Sequence, residues 1–216
     1  PATLFEYLAP TVTDPSDVTV CYTGGVAAYS VTPSNGASIV WRYATTVGGT
    51  YATIANGTPS GVTYSGTATN TLTVTTTGPV SGTYFYKAFV NPIAPCAVVT
   101  ESAGAQLIID APTVTTPTGV TTVNAGSSTT LSVTPTTLVA PTVQWQRATT
   151  LGGTYANVVD GTPAGVTYTN ATTSSLGITT ALNAAPGAAN FYRAVVSSGV
   201  GCSVNSVGTQ LTINNY

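Results

Sequence analysis

One stretch of this sequence is written twice. The segment WRYATTVGGTYATIANGTPSGVTYSGTATNTLTV, starting at Trp41, returns as WQRATTLGGTYANVVDGTPAGVTYTNATTSSLGI, starting at Trp145. The two align without a gap at an offset of 104 (145 − 41 = 104) and agree at about half their positions. A chain of 216 residues with such a repeat is two copies of one domain. At about 100 residues, each copy can bury a core without metals or a disulfide framework. The expected organisation is an extension over 1–8, a first domain over 9–110 and a second over 111–216.

Each copy reads as short strands separated by turns. The openings Ala9-Pro-Thr-Val-Thr-Asp-Pro and Ala111-Pro-Thr-Val-Thr-Thr-Pro place a proline between two short strands, as an edge strand does when it changes sheets. Alternating strands follow around Tyr29 and Leu131, then the tryptophan. Asn56-Gly57 and Asp160-Gly161 supply the positive φ that tight turns need. The strongest strands are Phe85-Tyr-Lys-Ala-Phe-Val and Phe191-Tyr-Arg-Ala-Val-Val, and Gln106-Leu-Ile-Ile and Gln210-Leu-Thr-Ile close the copies. About seven short strands, a mid-domain Trp and a late Tyr-x-small motif predict an all-β chain of two tandem immunoglobulin-like β-sandwiches.

The run Thr19-Val-Cys, then Trp41, Gly48-Gly-Thr-Tyr, Phe85-Tyr-Lys-Ala-Phe-Val, Cys96 and Gln106-Leu-Ile-Ile, with its second-copy counterpart, resembles the immunoglobulin-like repeats of large surface and secreted proteins of the Bacteroidota. The resemblance covers 9–214 and implies stalks, fibres or adhesive arrays, exported by the type IX system. The second copy departs from it in carrying Asn124 where the first has Cys21.

In antibody domains a disulfide ties strand B to strand F beside the Trp. Here Tyr29 or Leu131 stands at the B position and Ala88 or Ala194 at the F position. A large side chain opposite a small one fills the volume of the missing bridge. Trp41, Tyr86, Trp145 and Tyr192 are therefore expected in the core, with the tyrosine hydroxyls bonded to backbone at the E–F corner. The competing expectation is a surface platform of aromatics for sugar.

Three cysteines cannot all pair within one chain. Repeat logic joins Cys21 to Cys96. Yet Cys21 ends a strand at one end of a sandwich and Cys96 lies in the F–G loop at the other, farther apart than the roughly 7 Å of Cα separation a bridge tolerates. In a head-to-tail tandem, Cys21 of the first domain faces Cys202 of the second, so a Cys21–Cys202 bridge is expected if one forms. Three free thiols are the alternative.

Residues Leu4, Phe5, Glu6, Tyr7 and Leu8 precede the first copy and alternate like a strand with apolar residues on both faces. An isolated apolar strand is a liability in water, and addition to another subunit is one remedy. A strand belonging to a preceding domain, or folded onto its own first domain, are the other readings.

Composition removes several functions. No His is present, which excludes His-based triads and the common zinc sites. The six acids are scattered; Asp14, Asp17 and Asp110 leave a calcium ion at the domain junction conceivable. The four cations, Arg42, Lys87, Arg147 and Arg193, all fall on the C and F strands, with Arg42, Lys87 and Arg193 facing outward and Arg147 at the core edge. With 5% charged residues and no basic stripe, the chain does not suit nucleic acid. No apolar run approaches the ~20 residues of a membrane span. The expectation is a non-enzymatic, cofactor-free subunit of an extracellular bacterial filament or surface array, partnered by copies of itself. A segment of a large adhesin with an unidentified protein or glycan ligand, and an ancillary carbohydrate-binding module, are the alternatives.

Overall fold

A computed structural model describes residue 6, residues 8–187 and residues 189–214. Among these there are only strands, turns and irregular segments. The chain parts into two compact units between Ala111 and Pro112.

The first unit contains β1 (Thr11–Val12), β2 (Val18–Cys21), β3 (Thr23–Ser30), β4 (Pro33–Ser34), β5 (Gly36–Ala44), β6 (Ala52–Thr53), β7 (Val62–Ser65), β8 (Thr71–Thr77), β9 (Gly82–Pro92), β10 (Thr100–Glu101) and β11 (Ala105–Asp110). One sheet runs β2-β11-β9-β5-β6, with β10 also on β9; the other runs β3-β8-β7. β1 pairs with β4, whereas β2 pairs in parallel with β11 in the first sheet. The proline-punctuated opening thus lets one short edge change partners, since Pro15 offers no N–H to continue a ladder.

The second unit repeats the plan with β12 (Thr113–Val114), β13 (Thr118–Gly119), β14 (Thr122–Asn124), β15 (Ser128–Ser132), β16 (Pro135–Thr136), β17 (Thr142–Ala148), β18 (Ala156–Asn157), β19 (Val166–Thr169), β20 (Ser175–Thr180), β21 (Ala189–Ser197), β22 (Ser203–Asn205) and β23 (Thr209–Asn214). Its sheets run β14-β23-β21-β17-β18 and β13-β15-β20-β19. Gly57 and Gly161 do adopt positive φ, at 78° and 81°. In each copy the residue before that glycine also anchors the loop: Asn56 Oδ1 accepts from Tyr64 N, and Asp160 Oδ1 from Tyr168 N, both at 2.7 Å.

Period-2 alternation sorts the side chains, and β21 is buried at every second residue. Trp41, Tyr86, Trp145 and Tyr192 are all at most 1% exposed, as are Tyr29, Ala88, Leu131 and Ala194. Trp41 sits directly across the ladder from Ala88, and Trp145 from Ala194. The volume left by each alanine is taken up by rings in the first copy, where Tyr29 lies 5.3 Å from Tyr86 and 6.4 Å from Trp41.

The polar tips of these rings reach the facing layer. Trp41 Nε1 donates to Thr69 O and Trp145 Nε1 to Thr173 O, each at 2.8 Å. The tyrosine bonds differ from expectation. The Tyr86 hydroxyl meets the Tyr64 hydroxyl at 3.0 Å, and Tyr64 donates to Thr58 O at 3.1 Å. Tyr168, Tyr192 and Thr162 repeat the arrangement. The backbone is reached through a second tyrosine, because Tyr64 and Tyr168 stand on β7 and β19 between the buried ring and the turn. The ring pairs meet nearly edge-on, with centroids 6.0 Å apart.

Leu4, Phe5 and Tyr7 lie outside the described residues. Glu6 and Leu8 are exposed and belong to no strand.

Because Tyr64 stays bonded to Thr58 O when Tyr86 loses its hydroxyl, Tyr86→Phe should lower the first domain's stability by only about 1 kcal/mol. Trp41→Ala, which empties the centre, should cost about 3–5 kcal/mol. Denaturant titration of the two variants measures both, and equal losses would contradict this ranking.

Candidate interaction face on the first domain

The outward residues of β5, β9 and β10 bring charged, aromatic and aliphatic side chains together on the first unit. Val40, Phe89 and Glu101 stand in one row across the sheet, and Arg42 and Lys87 in the next. The Arg42 guanidinium lies 4.6 Å from the Phe89 ring centre, and the Lys87 ammonium 4.8 Å from that of Tyr51. Lys87 also pairs with Glu101 at 2.9 Å. Gly104 gives Tyr51 its place, since a Cβ there would strike the tyrosine hydroxyl. Two shallow grooves of about 350 Å³ and 360 Å³ share Arg42, Phe89 and Glu101.

Arg42 and Lys87 face one another directly, an arrangement of like charges that destabilises a ladder unless anions offset it. One carboxylate serves the two cations, and it sits on Lys87. Arg42 Nε is buried with no hydrogen-bond partner.

The second copy settles the same positions differently. Gln146, Val195 and Asn205 stand where Arg42, Phe89 and Glu101 are in the first. Arg193 lies 4.2 Å from the Tyr155 ring centre and gives two hydrogen bonds to Gln146 Oε1, at 3.0 and 2.8 Å. Arg147 turns to the buried Asn190, its Nε 2.6 Å from Oδ1. All four cations are thus on the C and F strands, and three of them find a polar side chain.

The acids expected near a calcium site are otherwise engaged. Asp14 Oδ1 accepts from Ala103 N and Asp17 Oδ1 from Gln106 N, each at 2.7 Å, which tie the opening strands to the start of β11. Among the described residues no group of three or more His, Cys, Asp or Glu side chains is placed to hold a metal ion. The tryptophans, being buried, do not form the sugar platform considered above.

Cys21 and Cys202 are both disulfide-bonded, and Cys96 is a half-buried free thiol. The Cys21–Cys96 pairing suggested by repeat logic is therefore overturned, as is a chain of three free thiols. Sequence reasoning missed Ser102 and Ser206. Their buried hydroxyls accept from Ala88 N and Ala194 N, at 3.0 and 2.9 Å, where the ladder on the F strand changes partner. The repeated Ser-x-Gly-x-Gln-Leu ahead of the last strand was the available signal.

No family model matches the sequence, and no curated protein sequence does. Among solved structures, the chain resembles the two-domain fragment DIP-gamma IG1+IG2 at TM-score 0.52 and 14% identity, covering 98% of this chain and 100% of that one. It also aligns with the Dpr2 Ig1-Ig2 complex with DIP-Theta Ig1-Ig3 (TM-score 0.48, 15% identity, 96% and 66% covered) and with the Ig1-2 module of the Drosophila receptor protein tyrosine phosphatase DLAR (TM-score 0.35, 18% identity, 95% and 98% covered). The fold is a tandem of immunoglobulin-like domains. At these identities the likeness extends to fold alone.

Burial raises the proton affinity of the inner tyrosines. It pushes Tyr64 up to about 12 against the opposing pull of its bond with Tyr86, and holds Tyr29, Tyr86, Tyr168 and Tyr192 above the ordinary 10.0. An unfolded tyrosine ionises near 10.0 while these remain protonated, so their stabilising contribution is complete below that pH and is lost as pH climbs through the folded values. Phenolate absorbance should therefore show a second, late group of tyrosines that titrates only as the sheets come apart. All tyrosines titrating reversibly near pH 10.0 would contradict the buried pairs.

Proposed function

We propose that the chain is a non-enzymatic building block of an extracellular filament or surface array, of the bacterial kind its sequence resembles, and that copies contact one another through the segment before the first domain. The observation that carries this reading is a pair of exposed apolar side chains, Leu8 and Ile93, where that segment enters the first domain. Leu8 and Ile93 are 62% and 49% exposed and line one hollow with Glu6 and Asn35. Val98 and Val99, in the loop that follows Ile93, are 60% and 49% exposed. Concentrated apolar surface of this sort marks contact with another macromolecule. The corresponding loop of the second domain carries Gly199, Val200, Gly201 and Ser203, with no comparable apolar pair.

Two further features support an assembling, extracellular chain. Only 5% of the residues are charged, so neighbouring copies meet little electrostatic resistance. Disulfide-bonded cysteines suit an oxidising compartment. We take Cys21–Cys202 to be a covalent staple between domains, which lets a fibre bear tension without relying on a non-covalent junction.

Removing residues 1–8 should abolish assembly, read by light scattering and electron microscopy, while leaving the circular dichroism of the two domains intact. Filaments formed by the shortened chain would contradict the reading. Non-reducing peptide mapping should recover one linked peptide pair, holding Cys21 and Cys202, and an alkylatable Cys96. A linked pair containing Cys96 would contradict the staple.

A further inference from the structure

We propose that Glu6 of one copy docks its carboxylate on Arg42 of the next, in the groove between Val40, Phe89 and Val99 on the outer face of the first domain. This rests on the assembly reading above and supplies its contact.

The charges of the described residues leave one cation and one anion over. Lys87 holds Glu101, Arg193 holds Gln146, and Arg147 holds Asn190. Arg42 packs on Phe89, and its buried Nε has no partner. Of the acids, Asp14, Asp17 and Asp160 accept backbone N–H groups, Glu101 is paired, and Asp110 is buried. Glu6 is exposed, and among the described residues no hydrogen bond or ion pair engages it. A planar guanidinium backed by an aromatic ring suits a carboxylate, which it can grip with two parallel bonds.

Within one chain the pair is apart. Glu6 lies beside Asn35 and Ile93, at the start of β5. Arg42 is seven residues farther along than Asn35 (42 − 35 = 7), roughly 20 Å away at strand spacing. A second copy removes that obstacle. In an extended segment Leu4, Glu6 and Leu8 share one face. The groove of about 350 Å³ offers Val40, Phe89 and Val99 for leucine and Arg42 for the carboxylate; Asn91 and Glu101 complete its lining, and Glu101 is already held by Lys87. The incoming carboxylate also offsets the opposed charges of Arg42 and Lys87. The second domain has no such place, because Gln146 stands at this position and is bonded to Arg193.

Charge exchange in the full chain tests the contact. Glu6→Arg and Arg42→Glu should each raise the protein concentration needed for assembly by about tenfold or more, since each sets like charges face to face. The double variant should restore assembly. Arg42→Gln, which installs the residue found in the second domain, should weaken assembly without disturbing the fold, and the wild-type contact should weaken as salt is raised. The inference is overturned if the single reversals assemble like wild type or the double variant stays impaired. If loss of residues 1–8 abolishes assembly in that case, the assembly reading stands and only the Glu6–Arg42 contact falls.

Discussion

The sandwich depends on buried aromatic rings whose polar tips are all hydrogen-bonded. Each tryptophan plugs the space above a small residue on the neighbouring strand and sends its indole N–H to a carbonyl in the loop that leads into the opposite sheet. Tyr86 and Tyr192 each complete a hydroxyl-to-hydroxyl-to-carbonyl path to the turn beneath. A third tie exists in the first domain only, from Tyr29 Oη to Gln106 O at 3.1 Å. A buried polar group without a partner costs about 1–3 kcal/mol, so these bonds hold the two sheets in one register as well as in contact. They do in each domain what an inter-sheet disulfide does in antibody domains, and they leave the cysteines available elsewhere.

That fixed interior leaves the outer face free to diverge. The two copies keep the same aromatic positions inside, yet outside one carries an Arg, a Phe and a Glu where the other carries a Gln, a Val and an Asn. In the second domain the arginine is satisfied by its own neighbour. In the first, two cations oppose each other and one lacks a partner. The difference between the copies lies where packing does not dictate the residue, which is where recognition of a neighbour can be written.

Much of the fold was legible in the sequence because it depends on period and punctuation. Alternation placed Trp41, Ala88, Tyr86 and their counterparts, and Asn56-Gly57 and Asp160-Gly161 marked the turns. Less legible were features that need three-dimensional neighbours. Tyr64 and Tyr168 looked like ordinary strand residues, and only the fold brings them under Tyr86 and Tyr192. Ser102 and Ser206 close a break in a ladder that no local pattern reveals. The interaction face was half visible: parity put Arg42 and Lys87 outward, but their encounter with Phe89, Tyr51 and Glu101 requires strand register, which pairs residues nearly fifty positions apart.

At the centre of this account is the proposal that a charge-poor pair of sandwiches joins its own kind in an open chain. Two different patches meeting head to tail, without closing a ring, produce growth with no fixed end point. The most direct measurement is negative-stain electron microscopy of the purified full chain over a range of concentrations, with mass followed by light scattering. The account predicts unbranched filaments whose length rises with concentration. Single monomeric particles at every concentration would contradict it.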